Sequence, residues 1–211
     1  MSRPAVFLDR DGVLVEEIYY PETGGTEAPF KPEHVRLIPG ATAVMRRLKE
    51  SSFVLVLISN QAGFAKGKSS LRALWLAHEC FASLLADERV ALDDVYYSYG
   101  HPDGVVPYFD GPSLDRKPAP YNVLIAAALN DIDLHRSWFI GNCHSDVECA
   151  LAAGVKPIWI VDENATDCHS ILAVKVPDFS KSPSCHPRRK RISDAVAVKT
   201  NMSQMPELFP H

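Results

Sequence analysis

Short apolar runs alternate with amphipathic segments along most of the chain. Apolar residues fill successive rather than alternate positions of these runs, which is typical of strands covered on both faces of a parallel sheet. The predicted strands span residues 5–8, 53–58, 95–98, 138–140 and 157–161, with an apolar AVAV at 195–198 as a candidate last strand. Helices are predicted over 41–50, 71–85, 120–130 and 145–153. This alternation predicts an α/β fold, a Rossmann-like three-layer αβα sandwich around a mostly parallel sheet.

Three stretches interrupt the alternation. Residues 16–39 and 99–116 are rich in proline, glycine and aromatic residues, and each follows a predicted strand. Loops of this length in a compact domain are usually functional or disordered, and we expect both to border a binding site. Residues 162–193 are irregular and polar, and their PRRKR cluster at 187–191 is either a solvated surface run or a nucleic-acid or nuclear signal. Neither the stretch between Asp11 and Ser59 nor that between Ser59 and Lys117 houses a further domain. Residues 1–211 are therefore predicted to form a single domain without a large cap.

Composition narrows the class of protein. A formal charge of −4 argues against nucleic-acid binding as the main function. The longest apolar runs are too short to cross a membrane, and the first residues lack the pattern of a signal peptide. Five cysteines without a C-x-x-C pair favour a reducing, cytoplasmic location. We expect a monomer that acts on a small molecule.

Two carboxylates follow the first predicted strand directly. Asp9 and Asp11 are separated by one residue and followed by Gly12, at the edge where open α/β sheets bind ligands. Carboxylates this close repel one another, and a divalent cation is the usual counter-charge. The alternative is a surface turn of the Asp-x-Asp-Gly type.

Three further segments are expected at the same edge. The second strand ends in Ser59, Asn60 and Gln61; Arg116 and Lys117 precede a helix; and the strand at 138–140 leads into GNCHSD at 141–146. Each has a simpler explanation, such as a helix cap or a surface lysine. Together they bring acid, hydroxyl, cation and a second acid to one edge, which predicts a catalytic site.

With these motifs the sequence resembles the haloacid dehalogenase (HAD) superfamily of phosphotransferases. The similarity covers nearly the whole chain, through LDRDG, SNQAG, RKP and GN-x-x-x-D. Within the superfamily, LDRDGV, SNQAGFAKGK and DRKPAPYNVL are similar to the family of D-glycero-D-manno-heptose 1,7-bisphosphate phosphatases and histidinol-phosphatases. The resemblance implies a HAD-like fold, a Mg²⁺ cofactor and a small phosphorylated substrate from carbohydrate metabolism.

The resemblance also implies roles for individual residues. Asp9 would be the nucleophile, Asp11 the general acid and base, and Ser59 and Lys117 would stabilise the transferring phosphoryl group. Substrate contacts are implied for Asn60, Gln61, Arg116, Tyr19, Tyr20 and Cys143. The implied metal residues are Asp9, Asp11, Asn142 and Asp146.

The chain departs from this family at two places. Zinc-bearing relatives have three cysteines and a histidine where this chain has Ser98, Gly100, Ser113 and Asp115, so a structural zinc is not expected. A zinc site at Cys168-His169 and Cys185-His186 is not expected either, because adjacent residues seldom ligate one ion. Many relatives carry aspartate in place of Asn142, whose amide can ligate Mg²⁺ but brings no charge. We therefore expect weaker Mg²⁺ binding.

Three functions remain open at this point. A phosphatase acting on a heptose 1,7-bisphosphate or related sugar phosphate is the leading hypothesis, and a histidinol-phosphate phosphatase is the alternative with the same chemistry. The alternative of another class is a HAD-like protein that binds phosphorylated ligands without turning them over, which Asn142 motivates.

Overall fold

One parallel sheet forms the centre of the protein. The computed structural model describes residues 2–22 and 24–160 and the backbone of residues 196–198. Within these residues the sheet contains β1 (Ala5–Leu8), β4 (Val54–Asn60), β5 (Asp94–Ser98), β6 (Trp138–Gly141), β7 (Lys156–Ile160) and β8 (Val196–Val198), in the order β5-β4-β1-β6-β7-β8. Every neighbouring pair in this order is parallel, as the unbroken apolar runs predict.

Two pairs of helices cover the two faces of the sheet. Helices α1 (Ala41–Glu50) and α2 (Leu71–Asp87) pack on one face through Leu48 and Phe81, against Leu8 and other buried residues of β1 and β4. Helices α3 (Tyr121–Leu129) and α4 (His144–Ala153) pack on the opposite face around Phe7 and Phe139. The predicted three-layer α/β sandwich is confirmed, and it leaves the carboxyl ends of the strands free to build a site.

The two predicted site loops differ in structure. Residues 16–39 contain an antiparallel hairpin, β2 (Ile18–Tyr20) and β3 (Gly25–Glu27), and a 3₁₀ turn at Pro32–His34. Strands of three residues are too short to show a periodicity in the sequence. Residues 99–116 contain neither helix nor strand. The irregular segment at 162–193, with its basic cluster and its two Cys-His pairs, lies outside the described residues.

The second predicted strand extends further than the apolar run indicates. β4 continues to Asn60 because Ser59 and Asn60 still pair with Tyr97 and Ser98 of β5. Ser59 therefore belongs to the strand itself, which fixes the direction of its side chain.

Among the described residues, no helix is both long enough and apolar enough to cross a membrane.

Candidate active site

The carboxyl ends of three adjacent strands meet at the middle of the sheet. The chain leaves β1 for β4 and β5 on one side and then crosses to β6 on the other side, so the strand order reverses beside β1. Such a reversal opens a crevice beyond the strand ends, where α/β proteins bind ligands. Asp9 enters this crevice directly after β1, and its backbone N–H donates to the carbonyl of Ile140 in β6 at 3.0 Å.

A buried lysine joins two carboxylates in the crevice. Lys117 Nζ lies 2.8 Å from Asp9 Oδ1 and 2.7 Å from Asp146 Oδ1, and it donates to the Ile58 carbonyl at 2.9 Å. Burial lowers the pKa of Lys117, but the two carboxylates raise it by more, so the net shift is upward. Burial and the neighbouring Asp9 raise the pKa of Asp146, against the opposing effect of Lys117. The site therefore carries a permanent cation beside Asp9.

Asp11 and Ser59 are connected through one amide. The Asp11 carboxylate accepts hydrogen bonds from Arg10 Nε at 2.9 Å and from Gln61 Nε2 at 2.6 Å. The same Gln61 amide donates to Ser59 Oγ at 2.9 Å. All four side chains are buried. The acid and the hydroxyl that the sequence predicted at this edge are therefore neighbours within one hydrogen-bonded group.

Asn142 presents a free oxygen at the same edge. Its Oδ1 is buried and accepts no hydrogen bond from the residues that the structure describes, while Trp159 Nε1 donates to the main-chain carbonyl of Asn142 at 2.9 Å. Gly12 has a φ of 75°, and a Cβ there would overlap Asn142 Nδ2. Only glycine therefore fits the turn, which explains the Gly12 that follows the two aspartates.

These oxygens fit a hard divalent cation. In the part of the chain that the structure describes, no three His, Cys, Asp or Glu side chains are grouped so that they could hold a metal. The ligands of a cation here would be the Asp9 carboxylate, Asn142 Oδ1 and a main-chain carbonyl. Mg²⁺ accepts such mixed oxygen ligands together with water.

The family is decided by comparison with known proteins. Residues 115–178 match the model of HAD-hydrolase-like proteins. The D-glycero-beta-D-manno-heptose-1,7-bisphosphate 7-phosphatase of Escherichia coli K12 is 36% identical over 176 residues, which cover 79% of this chain and 87% of the relative. The chain belongs to the HAD-like hydrolase family. A second relative, the D-glycero-D-manno-heptose-1,7-bisphosphate 7-phosphatase of Thermosynechococcus vestitus, is 37% identical over 164 residues, covering 76% of this chain and 80% of that one.

Solved structures of HAD-like proteins share the fold. A HAD-like phosphatase from Mesorhizobium loti matches with a TM-score of 0.68 at 27% identity, over 75% of this chain and 73% of that one. A D,D-heptose 1,7-bisphosphate phosphatase from B. bronchiseptica, crystallised with magnesium and phosphate, matches with a TM-score of 0.60 at 24% identity, over 74% of this chain and 80% of that one. The prediction of a HAD-like phosphatase is confirmed by the family and its relatives.

In this HAD-like hydrolase, the side chains of Asn60 and Gln61, both predicted to contact substrate, form hydrogen bonds with protein groups. Asn60 donates to the Lys117 carbonyl at 3.1 Å and accepts from the Lys117 N–H at 3.0 Å, which ties the end of β4 to the RKP segment. Gln61 uses both amide hydrogens and its oxygen on Asp11, Ser59 and Arg10. These bonds connect the end of β4 to Lys117, Asp11, Ser59 and Arg10, and substrate contact by Asn60 and Gln61 stays a prediction.

Tyr19, Tyr20 and Arg116, which are also predicted to contact substrate, differ in exposure and in their contacts. Tyr19 is 61% exposed on the hairpin, whereas the Tyr20 ring stacks on Phe30 and its hydroxyl lies 3.0 Å from His34 Nδ1. Tyr20 therefore stabilises the hairpin loop. Arg116 donates to the Gly100 carbonyl at 3.1 Å and is half-buried, which leaves part of its guanidinium available.

Cys143 and Asp146 begin α4 together. The Cys143 N–H donates to Asp146 Oδ2 at 2.9 Å, and Asp146 Oδ1 faces Lys117. Both carboxylate oxygens of Asp146 are thus engaged, and direct ligation of Mg²⁺ by Asp146 stays a prediction. Although solvent reaches Cys143, partial burial and the carboxylates of Asp146 and Asp9 raise the pKa of its thiol to about 12. The thiol is therefore unsuited to act as a nucleophile.

The positions that correspond to zinc ligands in some relatives form a polar cluster. Ser98 Oγ donates to Asp115 Oδ1 at 3.1 Å, and Ser113 Oγ donates to the same oxygen. Gly100 packs closely against Ser113, since a Cβ at this position would lie 3.3 Å from Ser113 Cβ. Hydroxyls and a carboxylate thus connect the end of β5 to the residues that precede Arg116.

Arg10 and Glu17 were not singled out in the sequence analysis. Arg10 is 1% exposed although it stands between two aspartates, and no periodicity distinguishes an inward arginine from a surface one. Burial, followed by the charges of Asp11 and Asp9, raises the pKa of Glu17. The loop after β1 therefore brings a third carboxylate into the electrostatic field of the site.

Proposed function

We propose that this HAD-like hydrolase releases phosphate from a small sugar phosphate, with D-glycero-D-manno-heptose 1,7-bisphosphate as the first substrate to test. The observation that carries the proposal is the buried Lys117 Nζ, 2.8 Å from the Asp9 carboxylate at the reversal of strand order, with Asp11 two positions further on. The choice of sugar is supported by the relatives of Escherichia coli and Thermosynechococcus vestitus, whose names specify this bisphosphate.

In the first half of the proposed reaction, Asp9 attacks phosphorus. The bond from phosphorus to the sugar oxygen breaks, and Asp11 donates a proton to that oxygen as it leaves. The Ser59 hydroxyl donates a hydrogen bond to the phosphoryl oxygens, and the charge of the Lys117 ammonium lies beside them, so that both stabilise the spread negative charge. Asp146 holds Lys117 at 2.7 Å, so the ammonium does not need to move as charge develops.

In the second half, water attacks the aspartyl-phosphate. Asp11 accepts a proton from the water, the bond between phosphorus and Asp9 breaks, and inorganic phosphate leaves. Asp9, the main-chain carbonyl of Asp11 and Asn142 would hold Mg²⁺, with Asp146 contributing directly or through a water. The cation would supply positive charge to the phosphoryl oxygens.

A panel of substrates tests this function. Phosphate release is measured from heptose 1,7-bisphosphate, other sugar phosphates and histidinol phosphate, with Mg²⁺ and with EDTA. We expect turnover of the heptose bisphosphate that requires Mg²⁺ and stops in EDTA. Binding of these compounds without turnover of any of them would support the alternative of a silent phospho-ligand binding protein.

Glu17 favours histidinol phosphate as the second candidate. Its carboxylate lies in the field of Asp11 and Asp9, in the loop that borders the crevice. A negative charge there attracts the ammonium group of an amino-alcohol phosphate and repels a second phosphate group. Faster turnover of histidinol phosphate than of any sugar phosphate would decide for this substrate.

The amide at Asn142 gives a prediction on metal affinity. Asn142→Asp restores a charged oxygen with almost unchanged shape, so it should tighten Mg²⁺ binding by about tenfold, since affinity follows the number of charged ligands. Calorimetric titration of Mg²⁺ into the substrate-free protein measures this directly. Equal affinities in Asn142→Asp and the wild type would contradict the assignment of Asn142 as a ligand.

A further inference from the structure

The buried guanidinium of Arg10 contacts the carboxylate of Asp11. Its Nε donates to Asp11 Oδ1 at 2.9 Å and its Nη2 donates to Asp11 Oδ2 at 3.3 Å, so the guanidinium binds both oxygens of the carboxylate. The side chain of Arg10 is only 2% exposed and that of Asp11 11%. A two-point contact fixes the plane of a carboxylate as well as its position, which one ammonium cannot do.

The guanidinium is itself held from other directions. Arg10 Nη2 donates to Gln61 Oε1 at 2.8 Å, and the ring of Tyr97 lies 5.6 Å below the guanidinium carbon. The Tyr97 hydroxyl is fixed in turn by His78 Nδ1 of α2 at 3.0 Å. Since Gln61 directly after β4, Tyr97 of β5 and His78 of α2 all contribute to this support, the guanidinium of Arg10 holds Asp11 in a fixed position.

The bonds on Asp11 distinguish its two oxygens. Oδ2 accepts from both Arg10 Nη2 and Gln61 Nε2, whereas among the described residues Oδ1 accepts only from Arg10 Nε. A carboxylate oxygen offers about two acceptor sites. One site on Oδ1 is therefore left for a proton in transit.

We propose that Arg10 is the positioning residue that orients Asp11 for proton transfer. The inference rests on the proposed function, in which Asp11 protonates the leaving oxygen and later accepts a proton from the attacking water. Arg10 keeps the Oδ1 atom of Asp11 aimed at both positions and makes no contact with the phosphoryl group. Without the grip on both oxygens, Asp11 rotates and both proton transfers slow, while attack by Asp9 does not depend on it.

The choice of leaving group separates this role from a general loss of structure. A sugar alkoxide needs a proton to leave, whereas p-nitrophenolate leaves without one. In Arg10→Met we expect turnover of the panel's fastest sugar phosphate to fall about 100-fold or more, the usual contribution of general acid–base catalysis. With p-nitrophenyl phosphate the same variant should release about one nitrophenolate per site in a rapid burst. Slow turnover should follow, because breakdown of the aspartyl-phosphate still requires Asp11 as base.

Stopped-flow absorbance and intact-protein mass spectrometry measure the burst and the trapped phosphoryl group. The burst amplitude counts folded sites, so a stability defect cannot imitate the expected result. Arg10→Lys keeps the charge without the two-point grip and should show the same burst followed by slow turnover, which provides a second test if the methionine variant fails to fold. Arg46→Met removes an arginine from an exposed ion pair with Glu88 and should behave as the wild type.

Two results would overturn the inference. The first is an equal fall in the rates for sugar and aryl phosphates with no burst from a folded Arg10→Lys protein, and the second is full turnover of the sugar phosphate by either Arg10 variant. Failure of the proposed function gives a different result, since the burst and the trapped phosphoryl group would then persist when Asp9→Asn is combined with Arg10→Lys.

Discussion

Asp9→Asn is expected to abolish turnover of every substrate in the panel. The amide has nearly the same shape as the carboxylate but is a very weak nucleophile, so no aspartyl-phosphate forms. Loss of a nucleophile typically lowers kcat by a factor on the order of 10⁴ to 10⁶. Phosphate release at high protein concentration, together with intact mass spectra after rapid quenching, checks both the rate and the missing intermediate.

The fold of this variant should remain intact. The main-chain N–H at this position still donates to Ile140, and the oxygen of the new amide can still accept from Lys117, so the change removes one charge from a site that holds two carboxylates around one ammonium. Asp87→Asn, at the exposed end of α2, makes the same chemical change away from the crevice and should keep wild-type rates. Wild-type activity in Asp9→Asn would show that the nucleophile is another group.

Lys117→Met is expected to reduce both activity and stability. The lysine is 3% exposed and its ammonium lies between the carboxylates of Asp9 and Asp146, so its removal leaves two like charges buried without a counter-ion. Breaking a buried ion pair on one side costs about 3 to 5 kcal/mol in the free energy of unfolding. Activity should fall by a factor of about 10³ or more, because the phosphoryl group loses its fixed cation. Urea unfolding and phosphate release measure the two effects.

A double variant separates these effects. Asp146→Asn keeps an oxygen that can accept from the Cys143 N–H but removes the second charge, so Lys117→Met combined with Asp146→Asn should recover part of the lost stability and none of the lost activity. Arg72→Met, which removes an exposed cation from α2, should change neither quantity. Recovery of catalysis in the double variant would mean that Lys117 serves only to neutralise Asp146.

Much of the fold was predictable because the responsible signals are local. Apolar runs at 5–8 and 53–58 fill successive positions, which is sufficient to predict strands covered on both faces, and the observed strands β1 and β4 overlap these runs. The hairpin at Ile18–Tyr20 and Gly25–Glu27 was not predicted, because three residues give no measurable period. The predicted strand end before Ser59 was wrong by two residues, because pairing with β5 extends β4 and a partner strand is not visible in the local sequence.

The candidate site was predictable in its chemical groups and less so in their contacts. Asp9 follows β1, Ser59 lies at the end of β4, Lys117 precedes α3 and Asp146 lies in the first turn of α4. The structure brings all four into the crevice. Asn60 and Gln61 lie in the predicted place, but the hydrogen bonds of their amides to Lys117 and Asp11 were not predicted. Which way a polar side chain turns depends on neighbours far away in the chain, so spacing alone could not decide it.

The sequence by itself determined the α/β class and the chemical groups present at the site. Strand patterns, helix patterns and the motifs at strand ends each depend only on residues that are close together in the sequence. Only the tertiary structure decided that Arg10 faces inward to hold Asp11, that one lysine contacts both Asp9 and Asp146, and that no described residue donates to the side-chain oxygen of Asn142. These facts depend on the order of strands in the sheet, which brings residues 51 and 108 positions apart into contact, as for Arg10 with Gln61 and Asp9 with Lys117. Contacts over such separations are set by how the elements pack, and no local pattern records them.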